Sequence, residues 1–183
     1  MPIQIGKEAL ADFTDPITML HECHRRIEHF LDALMTISRR QQGGTLDERH
    51  RSALSSALRY FDQAAPLHTA DEEESLFPRL RKSTAEEAVL LGEYLSELEV
   101  EHRDKEQRHG IVHRLGTTWL EEGSLSIEEA QMLVNELERL ELTYRRHICG
   151  EEERVFPVAI NLLPQEELRA IGSEMKVRRG LSR

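Results

Sequence analysis

Apolar residues recur at alternating intervals of three and four along four long stretches of the chain, the spacing of helices that each bury one face. The first stretch opens at Thr14-Asp15-Pro16, a capping residue followed by a proline suited to the first helical turn. It runs to about Gln42 with Ile17, Leu20, His24, Ile27, Leu31 and Leu34 inward, and Gly43-Gly44 breaks it. The second spans about Leu46 to Arg81 with Leu54, Leu58, Phe61, Ala65, His68, Glu72 and Leu76 on its stripe. Pro66 removes a backbone hydrogen bond inside it, so a kink or break beside His68 is predicted. A capping-box pattern at Ser83 and Glu86 opens the third, whose stripe is Leu91, Leu95, Leu98, His102, Glu106, His109 and Val112, and Glu122-Gly123 ends it. A second capping box at Ser126 and Glu129 opens the fourth, with Leu133, Leu137, Leu140, Tyr144, His147, Glu151, Val155 and Val158 inward and Pro164 closing it. The segment from about 164 to 180 predicts a short fifth helix with basic residues at its C-terminal end.

The polar residues on these stripes repeat. His68 to Pro78 reads HTADEEESLFP, and 79 positions later His147 to Pro157 reads HICGEEERVFP. His24 and His102, 78 positions apart, complete the pattern. Two helix pairs therefore repeat, and short connections make the expected fold all-α, an antiparallel up-down four-helix bundle with a pseudo-two-fold axis. One domain over 1–183 is expected, with the bundle at about 15–163. On a helix, His68 stacks over Glu72 and His147 over Glu151, one turn apart. A single such pair is ordinary helix surface chemistry. Two pairs on apolar stripes, with His24 and His102 brought to the same layer, are costly unless each group finds a partner, and a metal or pair of metals is the economical one. Imidazole and carboxylate donors are those that iron, manganese and zinc all accept, so donor type leaves the three open. The alternative is a metal-free structural bundle whose His/Glu pairs are buried hydrogen bonds.

Charge and composition narrow the partners. A net charge of −10 over 183 residues argues against non-specific nucleic-acid binding. The opening MPIQIGKEAL lacks the pattern of a signal peptide, and no apolar run approaches a membrane span, so a soluble cytoplasmic protein is expected. Cys23 and Cys149 are too few for a disulfide framework and are expected as buried structural thiols.

The two HxxxEExx(L/V)FP-type segments, with an isolated histidine on each of the other helices, resemble the hemerythrin-like HHE cation-binding domain from about Asp15 to Leu163. The resemblance implies a non-haem di-iron centre with His24, His68, Glu72, His102, His147 and Glu151 as ligands and with Glu72 and Glu151 bridging two irons. Oxygen-carrying hemerythrins have HxxxH on the third helix and His-x4-Asp on the fourth. Here Glu106 follows His102 and Glu151 follows His147, which points to the bacterial hemerythrin-like proteins linked to iron handling, nitric oxide or oxidative stress. The ferritin-like alternative needs Glu-x-x-His on two helices; Ala65 and Tyr144 occupy those places before His68 and His147.

Two imidazoles per iron and two bridging carboxylates leave room for an oxo or hydroxo bridge and an exchangeable position for oxygen, nitric oxide or peroxide. Glu28 and Glu106, one turn beyond His24 and His102, are candidates to close those positions, and His21 is a further candidate ligand. Tyr144, one turn before His147, is a candidate hydrogen-bond donor to a bound ligand, and Glu73, Glu74, Glu152 and Glu153 are expected beside the ligands or at the surface. The function expected is sensing, binding or detoxifying a diatomic gas or peroxide, or handling iron. An oxidoreductase turning over peroxide or nitric oxide is the alternative, so enzymatic activity, a protein partner and the oligomeric state stay open.

Overall fold

The computed structural model describes residues 13–181, so the opening segment read above for a leader lies outside the described residues. Helix α1 (Pro16–Gln41) starts where the sequence places it, with the Asp15 carboxylate accepting from the Thr18 amide. It ends as Gln42 turns left-handed. Gly43 follows at φ +77, and a Cβ there would lie 2.8 Å from that of Ala130, so the return into α2 (Glu48–Gln63) needs glycine for both backbone sign and space.

The second predicted helix is divided. After α2 the chain breaks at Ala64 and resumes as α3 (Ala65–Ala70) with Pro66 in its first turn, as the proline requires. A π-helical turn, Asp71–Leu76, then leads into α4 (Phe77–Lys82). The third helix, α5 (Glu86–Glu122), is capped by the backbone of Ala85 and not by the predicted Ser83 box. Ser83 is the extended residue that ends α4, so its hydroxyl reaches the Ala85 amide, and Glu86 falls in the first helical position, too early to close a box. The box at Ser126 and Glu129 does form and opens α6 (Ile127–Gly150). A second π-helical turn, Glu151–Val155, joins it to α7 (Phe156–Leu162), and α8 (Gln165–Arg178) follows.

Both π turns have the same cause in the sequence. Pro78 and Pro157 have no N–H to give the carbonyl four residues back, and their rings crowd it. The preceding amides reach one residue further instead: Phe77 N–H donates to Glu72 O, and Phe156 N–H to Glu151 O. Each turn thus gains a residue at a buried glutamate, Glu72 in the first and Glu151 in the second.

The four helical columns pack in a ring, α1 against α2 and α6, and α5 against α2 and α6. Two apolar clusters fill it. One gathers Ile27, Leu31, Leu54, Leu115, Trp119, Leu133 and Leu137; the other Leu20, Leu76, Phe77, Leu95, Val155, Phe156 and Ile171. Each such side chain stabilises by about 1.5–3 kcal/mol when fully buried. Between the clusters lies a polar layer of His24, His68, Glu72, His102, His147 and Glu151, all buried. Helix α8 seats Ile171 and Met175 in the second cluster, and its last residue Arg178 and the following Arg179 reach the fully buried Asp71, at 2.9 and 2.6 Å. Among the described residues no helix is long and apolar enough to cross a membrane.

Candidate metal centre

Every helical column contributes to the polar layer: α1 gives His24, α3 and its π turn His68 and Glu72, α5 His102, and α6 with its π turn His147 and Glu151. The donor atoms fall into two groups that share both carboxylates. His24, His68, Glu72 and Glu151 form one, and His102, His147, Glu72 and Glu151 the other, each with its donor atoms within 4.8 Å of one another. His68 Nε2 is 3.3 Å from Glu72 Oε1, and His102 Nε2 is 3.3 Å from Glu72 Oε2. His24 Nε2 and His147 Nε2 each stand 3.1 Å from Glu151, on Oε2 and Oε1 respectively.

Three of the four imidazoles are oriented by carboxylates behind them. His24 Nδ1 donates to Glu152 (2.9 Å), His102 Nδ1 to Glu73 (2.7 Å) and His147 Nδ1 to Glu101 (2.8 Å). Those bonds place the ring proton on Nδ1 and leave Nε2 a lone pair aimed into the layer. His102 Nε2 and His147 Nε2 then face each other at 2.9 Å. His24 Nε2 and all four oxygens of Glu72 and Glu151 have no hydrogen-bond donor among the described residues. Acceptors converging on acceptors in a water-poor interior repel, and a cation resolves the conflict. The donor set therefore fits a metal.

Titration directions agree with that geometry. Burial pushes the Glu72 carboxyl well above the usual carboxylate range, and the charge of Glu151 adds to it. Burial acts the same way on Glu151, but His147 and His24 outweigh it and hold that carboxyl well below the range. The facing carboxylates are thus pushed in opposite directions, the response of like charges in a poorly solvated space. Burial drives the His68 imidazole well below its usual value. It lowers His24 too, but the nearby carboxylates of Glu151 and Glu72 leave that group raised.

The layer is sealed on one side. Phe156 stacks on the His24 ring at 5.4 Å, and Phe77 lies parallel to His102 at 6.3 Å, so the residues that follow each π turn cover the histidine of a neighbouring column.

Several candidates from the sequence lie elsewhere. Glu28 is half exposed and pairs with Arg25, and Glu106 is exposed; neither joins the donor groups. The inward step after His24 is three residues, to Ile27, and after His102 likewise three, to Lys105, which turns both i+4 glutamates outward. Tyr144 is buried but bonds its hydroxyl to His109 Nε2 at 2.9 Å, and belongs to neither donor group. His21 is partly buried, 3.0 Å from Glu152 Oε1, and belongs with His24 and Glu152 to a peripheral donor group. Cys23 is buried as expected, whereas Cys149 is exposed.

Sequence reasoning did not single out Glu101 and Lys105. Glu101 bonds both His147 and Arg146. Lys105 is 5% exposed, its Nζ 4.6 Å from the Tyr144 ring centroid, and burial pulls its pKa down to about 8. The signal for Lys105 was present: the alternation Leu98, His102 asks for an inward residue at 105 and then at 109 and 112.

A four-column bundle whose central layer offers four imidazoles and two shared carboxylates, all buried, is a cation-binding helical bundle. The hemerythrin HHE cation binding domain matches residues 15–159, and the chain belongs to that family. It is also 31% identical over 180 residues to an uncharacterized protein of Haemophilus influenzae, with 94% of each chain covered.

Proposed function

We propose that this is a non-haem di-iron protein that binds a small oxygen- or nitrogen-derived ligand, dioxygen, nitric oxide or peroxide, in the cytoplasm. The observation that carries the reading is the convergence of unpartnered acceptors into two groups that share Glu72 and Glu151. His24 and His68 would hold one ion, His102 and His147 the other, with a carboxylate oxygen from each glutamate to each. Two nitrogens and two oxygens per ion suit iron and leave positions for exchangeable ligands. When bound, the ions would supply ligand exchange and one-electron chemistry. The protein's part is to fix three of the four imidazoles, His24, His102 and His147, through Glu152, Glu73 and Glu101, and to exclude water on the side of Phe77 and Phe156.

The test is metal content with an optical spectrum on protein purified in air, beside a His68→Ala, His147→Ala double variant. About two irons per chain, with visible bands that vanish in the variant, is the expected result. A colourless, metal-free wild type that takes up no ferrous iron would sink the reading. A steady-state assay with peroxide and a reductant then separates reversible binding from turnover.

A further inference from the structure

Beside His102 a cleft of about 300 Å³ runs in from the surface between the second column and α5. That volume is at the lower end of small-molecule sites. Phe61, Ala65 and Pro66 give it apolar walls, Tyr144 adds a ring face, and Lys105 lines it with an almost fully buried side chain. Arg103, Glu74 and Glu106 stay at the exposed rim.

The repeat isolates what is unusual here. The residues 78 places before Lys105 and His109 are Ile27 and Leu31, both buried in the apolar core. Packing in the equivalent place is met by hydrocarbon, so packing does not call for a lysine. An ammonium withdrawn from water is costly unless an opposite charge meets it. Glu151 and Glu72 are the charges that most favour it. Both are engaged by cations in the reading above, on which this step of the argument rests.

We propose that the cleft is a binding site for a small organic monoanion, a carboxylate with a compact apolar body, whose charge is met by the Lys105 ammonium. The apolar walls fit an organic body better than an inorganic ion. Three lining carboxylates, Glu73, Glu74 and Glu106, against Arg103 and Lys105 disfavour a polyanion.

The test is calorimetric titration of the purified, metal-containing chain at pH 7 with benzoate, benzamide and nitrate, on wild type, Lys105→Met and Lys105→Arg, with metal content measured on every sample. Benzoate is expected to bind wild type, about tenfold or more weakly to Lys105→Met, and within about threefold of wild type to Lys105→Arg. Benzamide, the same shape without the charge, and nitrate, the charge without the body, are each expected to bind wild type about tenfold more weakly than benzoate. If Lys105→Met does not fold, the benzoate–benzamide difference on wild type decides the matter alone. Benzoate affinity that is absent from wild type, unchanged in Lys105→Met at equal metal content, or matched by benzamide or nitrate overturns the proposal. A chain that holds no metal yet binds benzoate through Lys105 breaks the di-iron reading and leaves this one standing.

Discussion

The two π turns carry the same motif and are held in different ways. In the first, Asp71 precedes the buried Glu72 and is gripped by Arg178 at the end of α8 and by Arg179 just beyond it, with Arg178 also reaching Ser75. In the second, the corresponding residue before Glu151 is Gly150, and the Tyr94 hydroxyl presses so close that a Cβ would fall 1.7 Å from it. The histidines differ in the opposite sense. His147 is fixed from behind by Glu101, whereas the residue 78 places before Glu101 is Cys23, and His68 Nδ1 has no hydrogen-bond partner among the described residues. One half therefore secures its glutamate and the other its histidine. The repeated ligand set does not dictate how its supports are built.

The largest expected effect comes from breaking the first support. Asp71→Ala leaves two arginines, each less than a fifth exposed, without their shared carboxylate, and should cost about 3 kcal/mol in urea unfolding of the full chain. A loss below about 1 kcal/mol would mean that α8 is held by its apolar face alone.

Next is acid stability, which separates the half containing His109 from the half containing Leu31. Burial, helped by Lys105, lowers the His109 pKa to about 3 from the ordinary 6.5. A depressed histidine keeps its full contribution above its unfolded value and loses it as pH falls towards the folded one, because the unfolded chain takes the proton first. His109→Leu should therefore flatten the acid limb by about 1.4 kcal/mol per pH unit between roughly pH 6 and 4. Identical slopes for variant and wild type would show that His109 is solvated.

A third, smaller effect sharpens the contrast between histidines. Glu101→Gln should weaken metal binding about tenfold or more, measured by competition with a chelator, while Cys23→Ala at the equivalent place should change it by less than about threefold. Comparable losses in both would erase the asymmetry. The smallest effect is at Gly150. Alanine gains about 1 kcal/mol of helix propensity but must displace Tyr94, so Gly150→Ala should be nearly neutral and become stabilising in a Tyr94→Ala background. Thermal unfolding of the two single variants and the double variant gives the answer.

The bundle and its six polar residues were legible because the apolar period and the 79-residue repeat are both properties of the linear chain. The break at Pro66 was legible for the same reason. The π turns were within reach, since Pro78 and Pro157 follow Glu72 and Glu151 by six residues, but a helical wheel drawn at constant pitch cannot show them. That pitch also misplaced Glu106, where the inward step was three and not four. The orienting roles of Glu73, Glu101 and Glu152 depend on which column stands beside which, and no spacing along one helix encodes that.

The supports also cross between halves. Glu73 holds His102 and Glu152 holds His24, and Nε2 of His24 and of His102 each approaches a buried glutamate of the opposite half, Glu151 and Glu72 respectively. A half-length chain would accordingly own a histidine that it could not orient and a carboxylate with nothing to orient. Two identical copies related by a two-fold axis would restore every one of these contacts, so the duplicated chain carries within itself the symmetry of a homodimer.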